Sequence, residues 1–262
     1  MDGRGARQQH QGAAMIRLRL LSILAATLLA ACADNGPPPL SPAEVAAIVA
    51  APDRTDADRQ TDQRRDPTQL LAFTGVGPGQ KVLDMGAGGG YSTELMARAV
   101  GPSGVVYAQD STDANPRARD AFTARLQKVA MRNVRRVERP FDDPLPADIH
   151  DLDLITFFFF YHDTAYMDVD RAKMDRRLFE ALKPGGVLVI ADHSARPGDG
   201  TGVAKTFHRI EESVVRREIE AAGFRLVAEG NFLRHPEDPR NVIVFRPAIP
   251  VDEFVLKFEK PR

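Results

Sequence analysis

Histidine and aspartate side chains are neighbours at two places in the second half of the chain. His162 and Asp163 follow an apolar run that contains four consecutive phenylalanines, and Asp192 and His193 end a second apolar run. An imidazole beside a carboxylate can act as a general base toward a hydroxyl or an amine, because the carboxylate orients the ring and raises its pKa. We therefore predict catalytic roles for His162, Asp163 and His193. The alternative for the first pair is a loop dipeptide that caps the next helix.

A third histidine, His208, follows a glycine-rich stretch. Three histidines and two aspartates could therefore meet in one cleft and hold a metal ion. However, the close pairs are direct sequence neighbours, unlike the two histidines four residues apart that bind zinc from one face of a helix. We therefore expect polar contacts to a substrate in this cleft, and no metal.

The residues from Val82 to Tyr91 have the pattern of a strand, a tight turn and the start of a helix. A short apolar run ends in Asp84, and glycines then alternate with other residues at Gly86, Gly88 and Gly90. The segment after them repeats its apolar residues at helical spacing. Because glycine is needed where the backbone has a positive φ or lies against a ligand, this turn is a candidate binding loop.

The spacing in this turn excludes two phosphate-binding loops. The dinucleotide fingerprint G-x-G-x-x-G needs glycine where the chain has Tyr91 or Thr93, and the loop G-x-x-x-x-G-K needs a lysine that the turn lacks. Ser92 or Thr93 can cap the helix and leave its first N–H groups pointing into the turn. The remaining pattern, D-x-G-x-G-x-G, resembles motif I of the class I S-adenosylmethionine-dependent methyltransferases.

The resemblance implies a set of contacts to S-adenosylmethionine. The glycines would let the backbone approach the methionine part of the cofactor, and an acid at the end of the second strand would accept both ribose hydroxyls. One of two acids after the third strand would bond the adenine amino group while Phe141 packs against the ring; both acids stay candidates. The corresponding residues of this chain are Asp84, Gly86, Gly88, Gly90, Tyr91, Asp110, Asp142 and Asp143. For Asp110, a helix cap is the alternative.

The resemblance extends from about residue 55 to the C terminus, to a group of predicted methyltransferases of Gram-negative bacteria. The segments that carry it are Arg64-Arg65, Asp84 to Tyr91, 139–144, Tyr161-His162-Asp163, 192–198, His208-Arg209-Ile210 and Arg216-Arg217-Glu218. The implied function is methyl transfer from S-adenosylmethionine to an unidentified, small-molecule acceptor. The alternative is an exported ligand-binding protein that keeps the methyltransferase scaffold without catalysis.

Strand and helix patterns alternate along the chain and predict an α/β fold. Near-continuous apolar runs are typical of strands buried on both faces of a parallel sheet. They occur at 105–110, 134–141, 152–160 and 187–191, and two further strand patterns follow the last helix, at 224–228 and 254–258. With the strand before the glycine turn, we predict a Rossmann-like, doubly wound, mostly parallel sheet of seven strands. As in the family that motif I resembles, the last strand should be antiparallel.

The one cysteine, Cys32, stands at an informative position. Arg17 and Arg19 precede a short apolar stretch that ends in Leu29-Ala30-Ala31-Cys32. A basic start, a short apolar core and small residues indicate a secretory signal, and the core is shorter than the about 20 residues that span a bilayer. The four residues resemble the lipobox of bacterial lipoproteins, which implies a lipid-anchored periplasmic protein. If the signal is not used, the protein stays in the cytoplasm; Met15 is an alternative start to Met1.

We divide the chain into a signal peptide with lipobox at 1–32, a tether with a short helix at 33–55, and a methyltransferase domain at 56–262. The stretch 53–66, which is dense in Arg and Asp, is either a solvated helix or a lid over the cofactor cleft. The formal net charge is −1, so no basic excess indicates a nucleic-acid partner. The expected partners are a small-molecule substrate and, through the lipid anchor alone, a membrane.

Overall fold

The computed structural model describes residues 38–245 and 247–262. The predicted signal peptide with its lipobox at Cys32, and the first part of the tether, lie outside the described residues. Across the described ranges, every helix is too short or too polar to cross a bilayer.

Helices and strands alternate along the described chain, as the sequence predicts. The α-helices are α1 (Pro42–Val49), α2 (Asp56–Arg65), α3 (Pro67–Thr74), α4 (Tyr91–Val100), α5 (Pro116–Arg125), α6 (Arg171–Ala181), α7 (Ala204–Phe207) and α8 (Glu212–Ala221). The strands are β1 (Lys81–Met85), β2 (Val105–Asp110), β3 (Val134–Glu138), β4 (Leu152–Phe158), β5 (Leu182–His193), β6 (Arg225–Gly230) and β7 (Glu253–Glu259). Single 3₁₀ turns occupy Val129–Met131 and Tyr161–Ala165.

The strands form one seven-stranded sheet in the order β3-β2-β1-β4-β5-β7-β6. β1 to β5 are parallel, and β7 runs antiparallel to both β5 and β6. Separate apolar clusters cover the two faces, so the central strands are buried on both sides. This confirms the predicted Rossmann-like fold with an antiparallel last strand. The strand order reverses between β1 and β4, and ligands of open α/β sheets bind at the carboxyl ends beside such a point.

The two strands that deliver the histidines differ from their predicted bounds. β4 ends at Phe158, two residues before the predicted end, because Phe159 has a φ of +59° and cannot continue an extended strand. The chain then turns into the 3₁₀ segment Tyr161–Ala165, which carries His162 and Asp163. β5 runs from Leu182 to His193 and is longer at both ends than the predicted strand at 187–191.

The compact unit begins before the predicted domain boundary at residue 56. Helix α1 forms because Ser41 and Glu44 make a reciprocal capping box. Its Val45 is buried in the cluster that also contains residues of α3 and α4. The N–H of Leu40 donates to the carbonyl of Val76 at 3.2 Å. Helix α1 therefore packs against α3 and α4 within the same compact unit.

Candidate active site

The three glycines of the turn after β1 all have positive φ, and they do different work. A Cβ at Gly86 would lie 3.0 Å from the ring of Phe160, and one at Gly90 would lie 2.7 Å from the ring of Phe122. At Gly88, where φ is +52°, the nearest described atom would be the carbonyl oxygen of Gly86 at 3.8 Å. Gly86 and Gly90 therefore permit close packing of aromatic rings, whereas Gly88 presents open backbone that a ligand can approach.

The side chain of Asp84 links β1 to α4 and β4 beside the turn. Its carboxylate is fully buried and accepts hydrogen bonds from the hydroxyls of Thr93 at 2.6 Å and Thr156 at 2.8 Å. Burial raises the pKa of this carboxyl above its usual range. The hydroxyl of Thr93 is thus directed to Asp84, and the N-cap of α4 is Gly90, without a side-chain cap from the described residues. The predicted cap by Ser92 or Thr93 is therefore wrong.

Asp110 ends β2 beside the open backbone of the turn. Its Oδ2 accepts the N–H of Gly88 at 3.1 Å, and its Oδ1 accepts the N–H of Ser111 at 2.8 Å. Desolvation raises the pKa of this half-buried carboxyl, against the effect of the two N–H donors. Each carboxylate oxygen can accept more than one hydrogen bond, so each retains capacity for a hydroxyl. A carboxylate fixed against an open glycine turn fits the ribose diol of S-adenosylmethionine.

The two acids after β3 have different cation partners. Asp142 pairs with Lys173 at 3.2 Å, and Asp143 pairs with Arg177 at 3.3 Å and with Arg139. Two arginines hold Asp143 as part of the loop, so Asp142 is the freer candidate for an adenine amino group. The expected packing of Phe141 against the adenine ring conflicts with its position, because Phe141 is 2% exposed and lies inside the core.

Tyr91 connects the glycine turn to α2. Its hydroxyl donates to Asp62 at 2.6 Å. The guanidinium of Arg65 lies 5.4 Å from the Tyr91 ring centroid and 4.5 Å from that of Phe159. Tyr91 therefore contacts the segment that covers the turn, and Arg65 links the turn to the residues after β4.

A buried network fixes α2 to the glycine turn. The Nε of Arg125 donates to the carbonyl of Gly89 at 2.9 Å, and its Nη2 pairs with Asp58 of α2 at 2.7 Å. The same guanidinium pairs with Glu94 of α4. The side chains of Asp58 and Glu94 are 3% and 1% exposed, so these ion pairs are shielded from water. The stretch 53–66 is therefore docked on the turn along one side and exposed to solvent along the other.

The carboxyl ends of β4 and β5 bring the predicted catalytic residues together with His208. The Nδ1 of His162 lies 2.7 Å from Asp192 Oδ1, and its backbone N–H donates to Asp192 Oδ2 at 2.8 Å. Its Nε2 lies 3.2 Å from both Asp163 Oδ1 and His208 Nδ1. The ring centroid of His193 is 5.6 Å from that of His162. We call these five residues the histidine cluster.

The two central histidines of the cluster have opposite protonation. Burial alone would lower the pKa of His162, but the carboxylates of Asp192 and Asp163 raise it to about 10. Both carboxylates therefore favour the protonated form of His162 at neutral pH, and its role as a general base stays a prediction. Burial lowers the pKa of His193 to about 3, so this ring is neutral. Its Nδ1 lies 2.9 Å from Glu253, whose pKa burial raises to about 8.

A cavity of about 200 Å³ adjoins the histidine cluster. Besides the cluster, its walls include two arginines and three aromatic rings, namely Arg64, Arg65, Phe159, Tyr166 and Phe245. Sequence reasoning missed Tyr166, Phe245 and Glu253. Tyr166 follows Asp163 by three residues, a spacing that would have indicated a contact within one helical turn. Phe245 and Glu253 come from the C-terminal segment and carry no local signal.

Comparisons with known proteins agree with this arrangement. A family model described as a methyltransferase domain matches residues 77–223, more than half of the chain. A ubiquinone/menaquinone biosynthesis C-methyltransferase of Cronobacter sakazakii is 31% identical over 175 residues, covering 63% of each chain. The Vibrio parahaemolyticus protein of the same name is 30% identical over 169 residues, covering 63% of this chain and 61% of its own. The chain thus spans less than two thirds of these relatives' lengths.

Solved structures show the same fold. The SAM-dependent methyltransferase of Aquifex aeolicus superposes with a TM-score of 0.56 at 19% identity, over 84% of this chain and 98% of that one. An arsenic(III) S-adenosylmethionine methyltransferase of Chlamydomonas reinhardtii superposes with a TM-score of 0.53 at 16% identity, over 87% and 75%. The alternative of a non-catalytic binding protein gains no support from these matches. Together with the extent of the family match, they show that the chain belongs to the methyltransferase-domain family of class I S-adenosylmethionine-dependent methyltransferases.

Proposed function

We propose that this enzyme methylates a small aromatic acceptor that presents an ionised ring hydroxyl or an activated ring carbon beside it. The observation that carries the proposal is the cavity at the histidine cluster. Its walls combine aromatic rings with the cations Arg64, Arg65 and protonated His162. Aromatic walls with a few convergent charged groups suit a flat, anionic ring.

In this proposal the cofactor and the acceptor bind on opposite sides of Arg65. On the cofactor side, the open backbone at Gly88 and the carboxylate of Asp110 would hold S-adenosylmethionine, which supplies an electrophilic methyl group on a sulfonium sulfur. On the acceptor side, His162 donates a hydrogen bond and Arg65 adds positive charge. Both groups stabilise an acceptor anion and lower the pKa of the hydroxyl from which it forms. The acceptor's nucleophilic electron pair therefore becomes available at neutral pH.

The curated relatives support a ring acceptor. They are named as C-methyltransferases of ubiquinone and menaquinone biosynthesis. The chain covers only part of their length, so their substrate is a guide to the chemical class and no more. A cavity of about 200 Å³ suits a single substituted ring better than a folded macromolecule.

Transfer of labelled methyl groups tests the proposal. The full chain is incubated with methyl-labelled S-adenosylmethionine and matched pairs of substituted benzenes, with and without a ring hydroxyl. We expect label in the hydroxylated member of a pair alone. Arg65→Gln should reduce the transfer, while the exposed control Arg117→Gln should not. Binding of S-adenosylmethionine without transfer to any hydroxylated ring would reject the acceptor class.

We further propose that the enzyme is exported and anchored to a membrane through Cys32. Support comes from the basic residues, the short apolar core and the lipobox-like residues that end at this cysteine. Cys32→Ser should move the protein from the membrane pellet to the soluble fraction, because residues 38–245 and 247–262 contain no helix that could span a membrane. Ser22→Ala is a matched control in the apolar core. A Cys32→Ser protein that stays in the pellet would reject the anchor, and wild type in the cytosol would reject export.

A further inference from the structure

We propose that His162, Asp163 and His208 bind a divalent transition-metal ion of the zinc type. Their three candidate ligand atoms, His162 Nε2, Asp163 Oδ1 and His208 Nδ1, lie within bonding range of one point. Each of the three distances between these atoms is 3.2 Å. The ligand atoms thus form an equilateral triangle.

The size of the triangle fits metal coordination. Zinc binds histidine nitrogen and carboxylate oxygen at about 2.0–2.1 Å in tetrahedral geometry, which places neighbouring ligand atoms about 3.3–3.4 Å apart. Hydrogen bonding explains part of the triangle, because Asp163 Oδ1 accepts from the Tyr166 hydroxyl and can accept from both histidines. The third edge joins His162 Nε2 and His208 Nδ1 at 3.2 Å, where two protonated nitrogens would repel each other and a shared metal ion would not.

A second carboxylate orients the first ligand. Asp192 Oδ1 lies 2.7 Å from His162 Nδ1, and Asp192 also accepts the backbone N–H groups of His162 and His193 at 2.8 Å. These two backbone bonds fix a carboxylate that has no exposed surface. With the Nδ1 proton directed at Asp192, Nε2 faces Asp163 and His208, and an ion bound there would take the place of the Nε2 proton. Metal-binding histidines commonly use such a carboxylate partner.

The open side of the triangle has the form of a catalytic site. Structural zinc is enclosed by four protein ligands, whereas catalytic zinc has three and keeps one position for water or substrate. The cavity of about 200 Å³ beside the cluster offers that position. Two imidazoles and one carboxylate favour zinc, iron or nickel over magnesium and calcium, which prefer oxygen ligands. A role for the ion in activating the acceptor oxygen rests on the proposed function; binding itself does not.

The proposed ligands are spaced differently from the two histidines four residues apart that bind zinc from one helix. His162 and Asp163 are direct neighbours in the sequence. They lie in the 3₁₀ segment Tyr161–Ala165, which turns both side chains toward one point. The third ligand arrives from the end of α7, where His208 has a φ of +53°.

Metal titration of the full chain tests the site. All proteins carry Cys32→Ser, so that the thiol does not compete, and are stripped with EDTA before calorimetric titration with Zn²⁺ and optical titration with Co²⁺. We expect one ion per chain. His208→Asn, which tolerates the left-handed backbone, should weaken zinc binding more than the about 10- to 100-fold that an outer-shell change such as Asp192→Asn costs. The exposed control His150→Ala should bind zinc like the parent.

The outcomes separate this proposal from the proposed function. If the parent binds no zinc, or if His208→Asn binds it as tightly as the parent, the metal site is rejected. Affinity for S-adenosylmethionine is measured in the same preparations. Zinc binding without methyl transfer to hydroxylated rings would reject the function and leave the site standing. Methyl transfer by a parent protein that binds no zinc would reject the metal site and leave the proposed function standing. Thermal unfolding with and without Zn²⁺ checks that His208→Asn folds, and zinc should raise the melting temperature of the parent and of His150→Ala but not that of His208→Asn.

Discussion

The glycine turn and the histidine cluster lie side by side at the carboxyl edge of one sheet, and they are built in different ways. The turn takes its shape from consecutive residues, with one carboxylate, Asp110, added from the neighbouring strand. The cluster takes His162 and Asp163 from the segment after β4, Asp192 and His193 from the end of β5, and His208 from the end of α7. The turn is formed mainly by residues that are close in the sequence. The cluster is formed by residues that are distant in the sequence and meet only in the folded protein.

The glycine turn and the histidine cluster also differ in how strongly their groups interact. The turn offers backbone that faces open space at Gly88 and one half-buried carboxylate. The cluster concentrates charge in a buried region, where His162 is held between two carboxylates and its pKa rises to about 10. Interactions between such groups are stronger than at a surface. Substitutions in the turn should therefore act on ligand binding, whereas substitutions in the cluster should also act on stability.

Substitution of Gly88 and of Gly90 should separate cofactor binding from stability, with the largest effects in the turn. Gly88→Val should abolish binding of S-adenosylmethionine, because the side chain would enter the space that the cofactor needs. Its left-handed strain should lower the free energy of unfolding by only about 1–2 kcal/mol. Gly90→Val should lower that free energy by about 2–5 kcal/mol, since its Cβ would meet Phe122 at 2.7 Å. Calorimetry with the cofactor and chemical denaturation measure the two effects. Unchanged affinity in Gly88→Val would contradict the comparison.

Asp110 should give the next largest effect. A carboxylate that accepts two ribose hydroxyls contributes roughly 1.5–3 kcal/mol per charged hydrogen bond. Asp110→Ala should therefore weaken S-adenosylmethionine and S-adenosylhomocysteine together by on the order of tenfold to a hundredfold. Asp110→Asn should lose less, because one acceptor oxygen remains. Asp120→Ala, at an exposed position of α5, is the control. Equal affinities for wild type and Asp110→Ala would show that Asp110 does not hold the ribose.

The cluster should show its charge in the pH dependence of stability. The folded pKa of His162, about 10, is above its ordinary value of 6.5. Protonated His162 therefore stabilises the fold fully below about pH 6.5, and this contribution is lost as the pH rises toward 10. His193 acts in the opposite direction, because its folded pKa is lowered to about 3. Its contribution is present above pH 6.5 and is lost as the pH falls toward 3.

Denaturation in EDTA measures the His162 effect. The difference in unfolding free energy between wild type and His162→Gln should shrink from pH 6.5 to pH 10. The same comparison for His150→Ala, at an exposed histidine, should stay flat over this range. A constant difference for His162→Gln would show that the ring is not charged in the folded protein.

The sequence predicted the fold and the cofactor turn because both depend on short-range patterns. Apolar runs located the strands, and the spacing of Asp84 and the glycines located the turn. Patterns of residue type did not reveal that Asp84 is fully buried and bonded to Thr93 of α4 and Thr156 of β4, because hydrogen-bond partners on other elements leave no trace in spacing. Nor did they separate Gly88, which faces open space, from Gly86 and Gly90.

The cluster was only half predictable. The pairs His162-Asp163 and Asp192-His193 were visible as neighbours at strand ends. The protonation of His162 was not visible. It depends on the carboxylate of Asp192, which is thirty residues away in the sequence and contacts the ring in a buried site. Tyr166 and Glu253 complete the surroundings from segments whose positions depend on the folded topology. Contacts between distant segments are set by strand order, which a single sequence specifies only indirectly.

The docking of α2 has a consequence for how ligands enter. Lifting this helix from the glycine turn would separate Arg125 from Asp58 and Tyr91 from Asp62. The Asp58 side chain is 3% exposed in the closed form, so its ion pair is stronger than one at the surface, and the open form should be rare. Most molecules at any moment therefore have α2 in place, and S-adenosylmethionine should enter along the carboxyl edge of the sheet. Backbone amides of α2 should accordingly exchange with deuterium on the timescale of rare opening, even though the helix lies at the surface.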